Sequence, residues 1–193
     1  MKKDFQTLKV LDISSCRKFR PYTRSEYLGR LLWGLVLPLF RWSPRPFFGW
    51  RRMLLRLFGA QIGRQVNIYP SARIYLPWNL IIGDQASIGE WALIYNLGMV
   101  KIGERATVSH RAHLCAGTHD YKDLTLPLLR LPIEIGAQVW VCADAFIGPN
   151  VRIGESAIVG AGSVVVKDVS SSQIVAGNPA KYIKMRTMKE EDA

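Results

Sequence analysis

The chain holds three histidines, and all fall within ten residues: His110, His113 and His119. An imidazole has an unperturbed pKa of about 6.5, so near neutral pH it can take a proton from a weakly acidic group and later return one. His119 stands in Gly117-Thr118-His119-Asp120, where a repeat that runs through most of the chain breaks off. That break puts the imidazole at the lip of the repeat. Asp120 adjoins it, but neighbouring residues of an extended chain point to opposite sides. An Asp–His dyad between the two is therefore not expected, and a backbone carbonyl is the alternative support for the ring.

The repeat is a hexad. Aliphatic residues recur in steps of six at Ile62, Ile68, Ile74, then Ile82, Ile88, Ile94, then Ile102, Val108, Leu114, and after a gap at Ile135, Val141, Ile147, Ile153, Val159 and Val165. Glycine often follows, as at Gly83 and Gly103, and a small or β-branched residue stands four places on, as at Val66, Ala86 and Ala106; Trp78 breaks that rule. Each hexad reads as a short strand and a corner, and three close one triangular coil of about eighteen residues whose inward side chains stack on the next coil. The expected fold is an all-β, parallel β-helix. From Ile62 to Ile82 and from Ile82 to Ile102 the step is 20, with two residues added at each corner, but from Ile102 to Ile135 it is 33. A loop is therefore inserted at 115–134, and long loops in compact domains are usually functional.

One structural domain with an N-terminal extension fits the 193 residues: extension 1–60, β-helix 61–177, tail 178–193. Residues 1–60 carry 13 Lys/Arg against 3 Asp/Glu, whereas 61–193 carry 13 against 12. The excess positive charge belongs to the extension and points to an anionic partner. Two short amphipathic helices are expected there. One starts at a Thr23/Glu26 capping box, carries Leu28, Leu31, Leu32, Leu35 and Leu39 at helical spacing, and should kink or end at Pro38. The other begins at Ser43-Pro44 and stops at Gly59, with Phe47, Trp50, Leu54, Leu57 and Phe58 on one stripe and Arg45, Arg51, Arg52 and Arg56 elsewhere. The helices suit a cap on the open end of the coil, contact with an anionic membrane through residues 24–58, or both. The apolar run 31–40 is too short to span a bilayer. Nucleic acid is not expected, because the basic residues form no binding motif. Cys16, Cys115 and Cys142 are scattered and no secretory signal precedes them, which suggests a reduced cytoplasmic setting, at the inner membrane face if the helices bind lipid.

The hexads, Gly117-Thr118-His119-Asp120, Val139-Trp140-Val141, the run IVGAGSVVVKDV at 158–169 and VAGNPAKYIK at 175–184 together resemble the hexapeptide-repeat O-acetyltransferases. The likeness is greatest to the colanic-acid-type sugar acetyltransferases of polysaccharide biosynthesis, which are related to maltose and galactoside acetyltransferases. It spans about 41–187. The resemblance implies a left-handed coil, a homotrimer, and acetyl-CoA bound between subunits as co-substrate. It also implies a saccharide acceptor in surface-polysaccharide assembly, carried on a lipid or a nucleotide. His119 matches the catalytic histidine, the general base toward a sugar hydroxyl. Asn96 stands where related galactoside-type enzymes use an asparagine, to orient the acceptor or stabilise the oxyanion. Trp140 and Asp120 fall near the acceptor. Ala143, Ala161, Val166, Lys167, Lys181 and Lys184 align with positions lining the CoA cleft, although Val166 lacks the hydroxyl of a threonine found in some relatives.

A metal reading competes for the histidines, because His110, His113 and Cys115 lie close in sequence. Zinc carbonic anhydrases resemble this fold, but they place two of three histidine ligands five residues apart. Here the spacings are three and six, and no histidine precedes position 110. No metal is expected, and His110 and His113 read as corner or subunit-contact residues. The remaining alternatives are a different acyl donor, an amine acceptor, or a non-catalytic scaffold whose inserted loop mediates assembly.

Overall fold

The computed structural model describes residues 10–12 and 21–187; Cys16 and the end of the expected tail lie outside them. Each hexad forms a short strand and a corner, and the strands stack into three parallel sheets. The first sheet carries the column Ile62, Ile82, Ile102, Ile135, Ile153; the second Ile68, Ile88, Val108, Val141, Val159, Val175; the third Ile74, Ile94, Leu114, Ile147, Val165. All are buried. With about 1.5–3 kcal/mol gained per fully buried aliphatic side chain, these columns outweigh any single corner hydrogen bond, and they fix the register without a slip.

Close approach between coils explains the glycine after the aliphatic residue. A Cβ on Gly83 would lie 2.5 Å from the Glu104 backbone nitrogen, and one on Gly103 would lie 2.5 Å from that of Ala137. The left-handed turn falls two residues later, at Gln85 (φ 60°) and Arg105 (φ 56°), so a side chain is tolerated where the backbone is strained and excluded where the coils touch.

The 33-residue step does hold an insertion, but not an irregular one. The strand His113–Cys115 ends in the third coil, and the chain rejoins the first sheet at Ile133–Ile135. Between them Thr118–His119 pairs antiparallel with Leu128–Leu129. Asp120 closes the turn, its amide donating to Pro127 O and its carboxylate accepting from the Lys122 amide.

Both expected helices form: α1 (Arg24–Arg41) and α2 (Phe48–Leu57). The Thr23/Glu26 capping box is present. Pro38 does not end α1; the helix runs to Arg41, and the amide of its C-cap, Trp42, donates to Pro38 O. Ser43-Pro44 does not start α2, which begins at Phe48. Ser43 Oγ instead donates to Phe40 O and accepts from Arg51.

The sequence left open which face of each helix turns inward, and the structure divides them. Arg51 is fully buried and donates to Ile68 O, Ser43 Oγ, Pro44 O and Arg45 O. Arg52 donates to Val66 O, and Arg56 to Ile62 O and Gly63 O. These three guanidiniums satisfy carbonyls that no further coil would reach, so they cap the solenoid. Leu28, Leu31, Leu32, Leu35 and Leu39 are exposed instead, as are Trp42, Phe47, Trp50 and Leu57. Trp33, Phe40, Leu54 and Leu55 join the solenoid core.

Trp78, the exception to the hexad rule, packs beneath α1: a Cβ on Gly29 would come within 3.0 Å of its ring. The expected tail holds a strand: Lys181–Met185 pairs antiparallel with Gln173–Ala176 at the far end of the second sheet.

Candidate active site

One edge of the prism, between the third and first sheets, gathers most of the polar chemistry. In the first coil it follows Tyr75, in the second it contains Asn96, in the third the hairpin leaves it, and in the fifth it carries Val166 and Lys167. Strands stack about 4.8 Å apart, so His119 leaves the edge about 10 Å from the first and fifth coils alike.

His119 lies exposed on the outgoing strand of the hairpin, opposite Leu128. Its Nδ1 is 2.5 Å from Leu126 O. A carbonyl can only accept, so Nδ1 carries the proton and, in the neutral ring, Nε2 presents a lone pair to solvent. The expected carbonyl support is thus supplied from seven residues on, and Asp120 makes no ion pair with the ring. The hairpin is tied down by Arg130, which follows its return strand: the guanidinium meets Glu26 and lies 4.9 Å over the Tyr22 ring.

Asn96 does not face an acceptor. It is fully buried; Oδ1 accepts from the Tyr75 and Leu76 amides, and Nδ2 donates to Leu76 O and Asn79 O. All four hydrogen-bonding positions of the amide are spent on the corner of the preceding coil, and in register it stacks one residue beyond Cys115, not on His119. In this structure Asn96 closes that corner and has no hydrogen-bonding position free for an acceptor.

His113 continues an aromatic column on the third sheet, edge-on to Phe146 at 5.1 Å and to Tyr95 at 6.4 Å, while Tyr95 meets Tyr75 at 4.8 Å. Burial lowers the His113 pKa, and its Nε2 has no partner. His110 sits exposed at a corner. Burial pushes the Cys142 thiol up. Among the described residues, no three His, Cys, Asp or Glu side chains converge as a metal site.

Val166, Lys167 and Lys181 line one groove of about 360 Å³ at the end of the solenoid, with Gln173, Pro179 and Tyr182. Lys184 lies further along the same terminal strand. Ala143 and Ala161 occupy a different edge, at corresponding corners of consecutive coils where the Gly162 amide donates to Ala143 O. Trp140 points outward from the second sheet, its Nε1 donating to Ser109 Oγ. One copy of the chain therefore does not bring these two groups together. Sequence reasoning missed Leu126, Arg130 and Tyr75 as parts of the site; the basic Arg130 closing an otherwise apolar return strand was the available signal.

A coil of hexads with a histidine-bearing hairpin places the chain in a known class: it belongs to the bacterial hexapeptide-repeat transferase family, and it is an acetyltransferase with a left-handed β-helix. Residues 132–167 match the bacterial transferase hexapeptide (six repeats) family. The chain is 40% identical to the colanic acid biosynthesis acetyltransferase WcaF of Escherichia coli K12, over 83% of this chain and 88% of that one. It is 31% identical to the galactoside O-acetyltransferase of the same strain, over 69% and 68%. The fold superposes with TM-score 0.78 on a hexapeptide-repeat acetyltransferase of Vibrio cholerae complexed with acetyl coenzyme A, at 22% identity, covering 86% of this chain and 92% of that one.

Proposed function

We propose that the protein transfers acetyl from acetyl-CoA to a sugar hydroxyl in surface-polysaccharide biosynthesis, with His119 as general base. The observation that carries this reading is the His119 ring held by Leu126 O with Nε2 turned outward. His119 Nε2 takes the proton of the attacking hydroxyl as its oxygen bonds the thioester carbonyl carbon; the carbon–sulfur bond breaks, and the same nitrogen returns the proton to the departing thiolate. Similarity to a colanic acid biosynthesis acetyltransferase and to a galactoside O-acetyltransferase supports the saccharide acceptor.

The groove at Val166, Lys167 and Lys181 would hold the donor, with Lys167, Lys181 and Lys184 meeting its phosphates. Ala143, Ala161 and Trp140 lie on other faces of the prism, so they serve the same donor and acceptor when a second copy supplies them. That division supports a homotrimer with sites between subunits. The exposed leucines of α1 and the exposed Trp42, Phe47 and Trp50 support peripheral contact with an anionic membrane, since no acidic residue lies between Glu26 and Asp84. Apolar side chains make this contact, and the capping arginines do not.

His119→Ala should lower acetyl transfer by roughly 10²–10⁴-fold with CoA affinity nearly unchanged. Turnover close to that of the unmodified enzyme would place the base elsewhere, and an active monomer in light scattering would overturn the shared site.

A further inference from the structure

Between α1 and the first coil lies a second groove, of about 370 Å³, that none of these roles uses. Three guanidiniums line it, Arg30, Arg41 and Arg73, with Trp33, Leu37 and Tyr75 as its apolar walls. Among the described residues none of the three has an ion-pair partner; Arg30 lies over the Tyr22 ring at 4.3 Å. Glu26, on the same helix as Arg30 and Arg41, is engaged by Arg130, and Glu90 by Arg45. Three like charges around one cleft repel one another, and a bound anion turns that repulsion into attraction.

The walls are rigid. Trp33 is buried with its Nε1 donating to Ile74 O at 2.9 Å, and Tyr75 is set edge-on to Tyr95. Placement matters as much as charge. The groove opens beside Tyr75, in the first coil, while the His119 hairpin leaves the third coil and the Lys167 groove lies in the fifth, all along one edge. With strands stacked about 4.8 Å apart, the arginines flank the base on the side opposite the donor.

We propose that Arg30, Arg41 and Arg73 bind the diphosphate of the acceptor's carrier, so that the acceptor is a sugar diphosphate ester with its phosphates against α1 and its hydroxyl at His119. The acceptor part of this inference rests on the acetyl-transfer reading; the anion site does not. A nucleotide and a polyprenyl lipid both supply this chemistry.

Inorganic pyrophosphate is titrated into the full chain with CoA at saturation, so that the lysine groove is already filled. Arg41→Gln combined with Arg73→Gln should weaken pyrophosphate binding by on the order of 100-fold, about tenfold for each guanidinium that no longer donates to the anion. CoA affinity and melting temperature should be unchanged, and the Arg41→Lys, Arg73→Lys pair should restore part of the affinity. No pyrophosphate binding by the unmodified chain, or equal binding by the Gln variant, overturns the proposal. Competition then separates the sources: uridine diphosphate displacing pyrophosphate better than farnesyl diphosphate indicates a nucleotide carrier, and the reverse a lipid one. Displacement by neither overturns the site. Pyrophosphate binding abolished in the Gln variant while no sugar accepts acetyl would establish the groove and overturn the sugar-acceptor reading.

Discussion

Glu26 and Arg130 meet across 104 residues of sequence, the first on the opening turn of α1 and the second just beyond the return strand of the hairpin that carries His119. The helix that covers the solenoid therefore also holds the hairpin. Burial pushes the Glu26 carboxyl up, but hydrogen bonds from Arg130 and from the Thr23 amide, with the Arg130 charge, leave it lowered.

A carboxyl lowered on folding contributes stability that is fully present above the ordinary carboxylate range and is lost as pH falls through the folded value. Glu26→Gln should reproduce the acid behaviour at neutral pH. The Asp120 amide, bonded to Pro127 O, should exchange faster with solvent deuterium in this variant while the amides of the coil strands keep their protection. Exchange raised equally throughout would mean that the pair stabilises the whole chain and not the hairpin.

Asn96→Ala should act on stability before activity. It strands the Leu76 amide, while the Tyr75 amide keeps Ile94 O as an acceptor, and a buried unsatisfied group costs about 1–3 kcal/mol. The melting temperature should drop by several degrees, while turnover per folded molecule changes little. A large fall in turnover with an unchanged melting curve would restore the catalytic assignment.

The two faces of the N-terminal helices should separate by assay. Arg51→Met removes four hydrogen bonds from a buried site and should cost on the order of 3 kcal/mol or more. Leu31, Leu35 and Leu39 changed together to Ser lie on exposed positions, so the melting temperature should stay put and flotation with anionic vesicles should fall. Unaltered flotation would assign that apolar face to another occupant.

His113 gives a pH dependence of opposite origin to that of Glu26. Its pKa is lowered by burial, so the unfolded chain binds the proton more readily than the folded one. Stability should decline as pH falls below about 6.5 and level off beneath the folded value. His113→Phe keeps an edge-on ring beside Phe146 and removes a buried nitrogen without a partner. It should raise the melting temperature at pH 5.5 and flatten its dependence on pH; a variant that melts lower at every pH would show the nitrogen to be satisfied.

The aliphatic columns were legible because each inward position repeats the same burial, and Ile62 could pair with Ile82 in only one register that keeps both inside. The insertion was legible from its length, but its hairpin was not: Thr118–His119 and Leu128–Leu129 are each two residues long, too short for alternation to show. Helical spacing located the stripes on α1 and α2 but could not say which faces inward. An open coil end exposes carbonyls as well as aliphatic groups, and Arg51, Arg52 and Arg56 answer the carbonyls. Asn96 carried no distinguishing signal, since an asparagine at a corner looks the same whether it faces solvent or the preceding coil.

The solenoid is closed by different devices at its two ends. At one, guanidiniums occupy the carbonyls of Ile62, Val66 and Ile68; at the other, Lys181–Met185 reverses strand direction against Gln173–Ala176. A stack of parallel coils is otherwise a template that a second molecule could extend end to end, as an open strand edge does. Because neither end repeats the geometry of a coil, neither offers a further coil the matching surface on which it would stack.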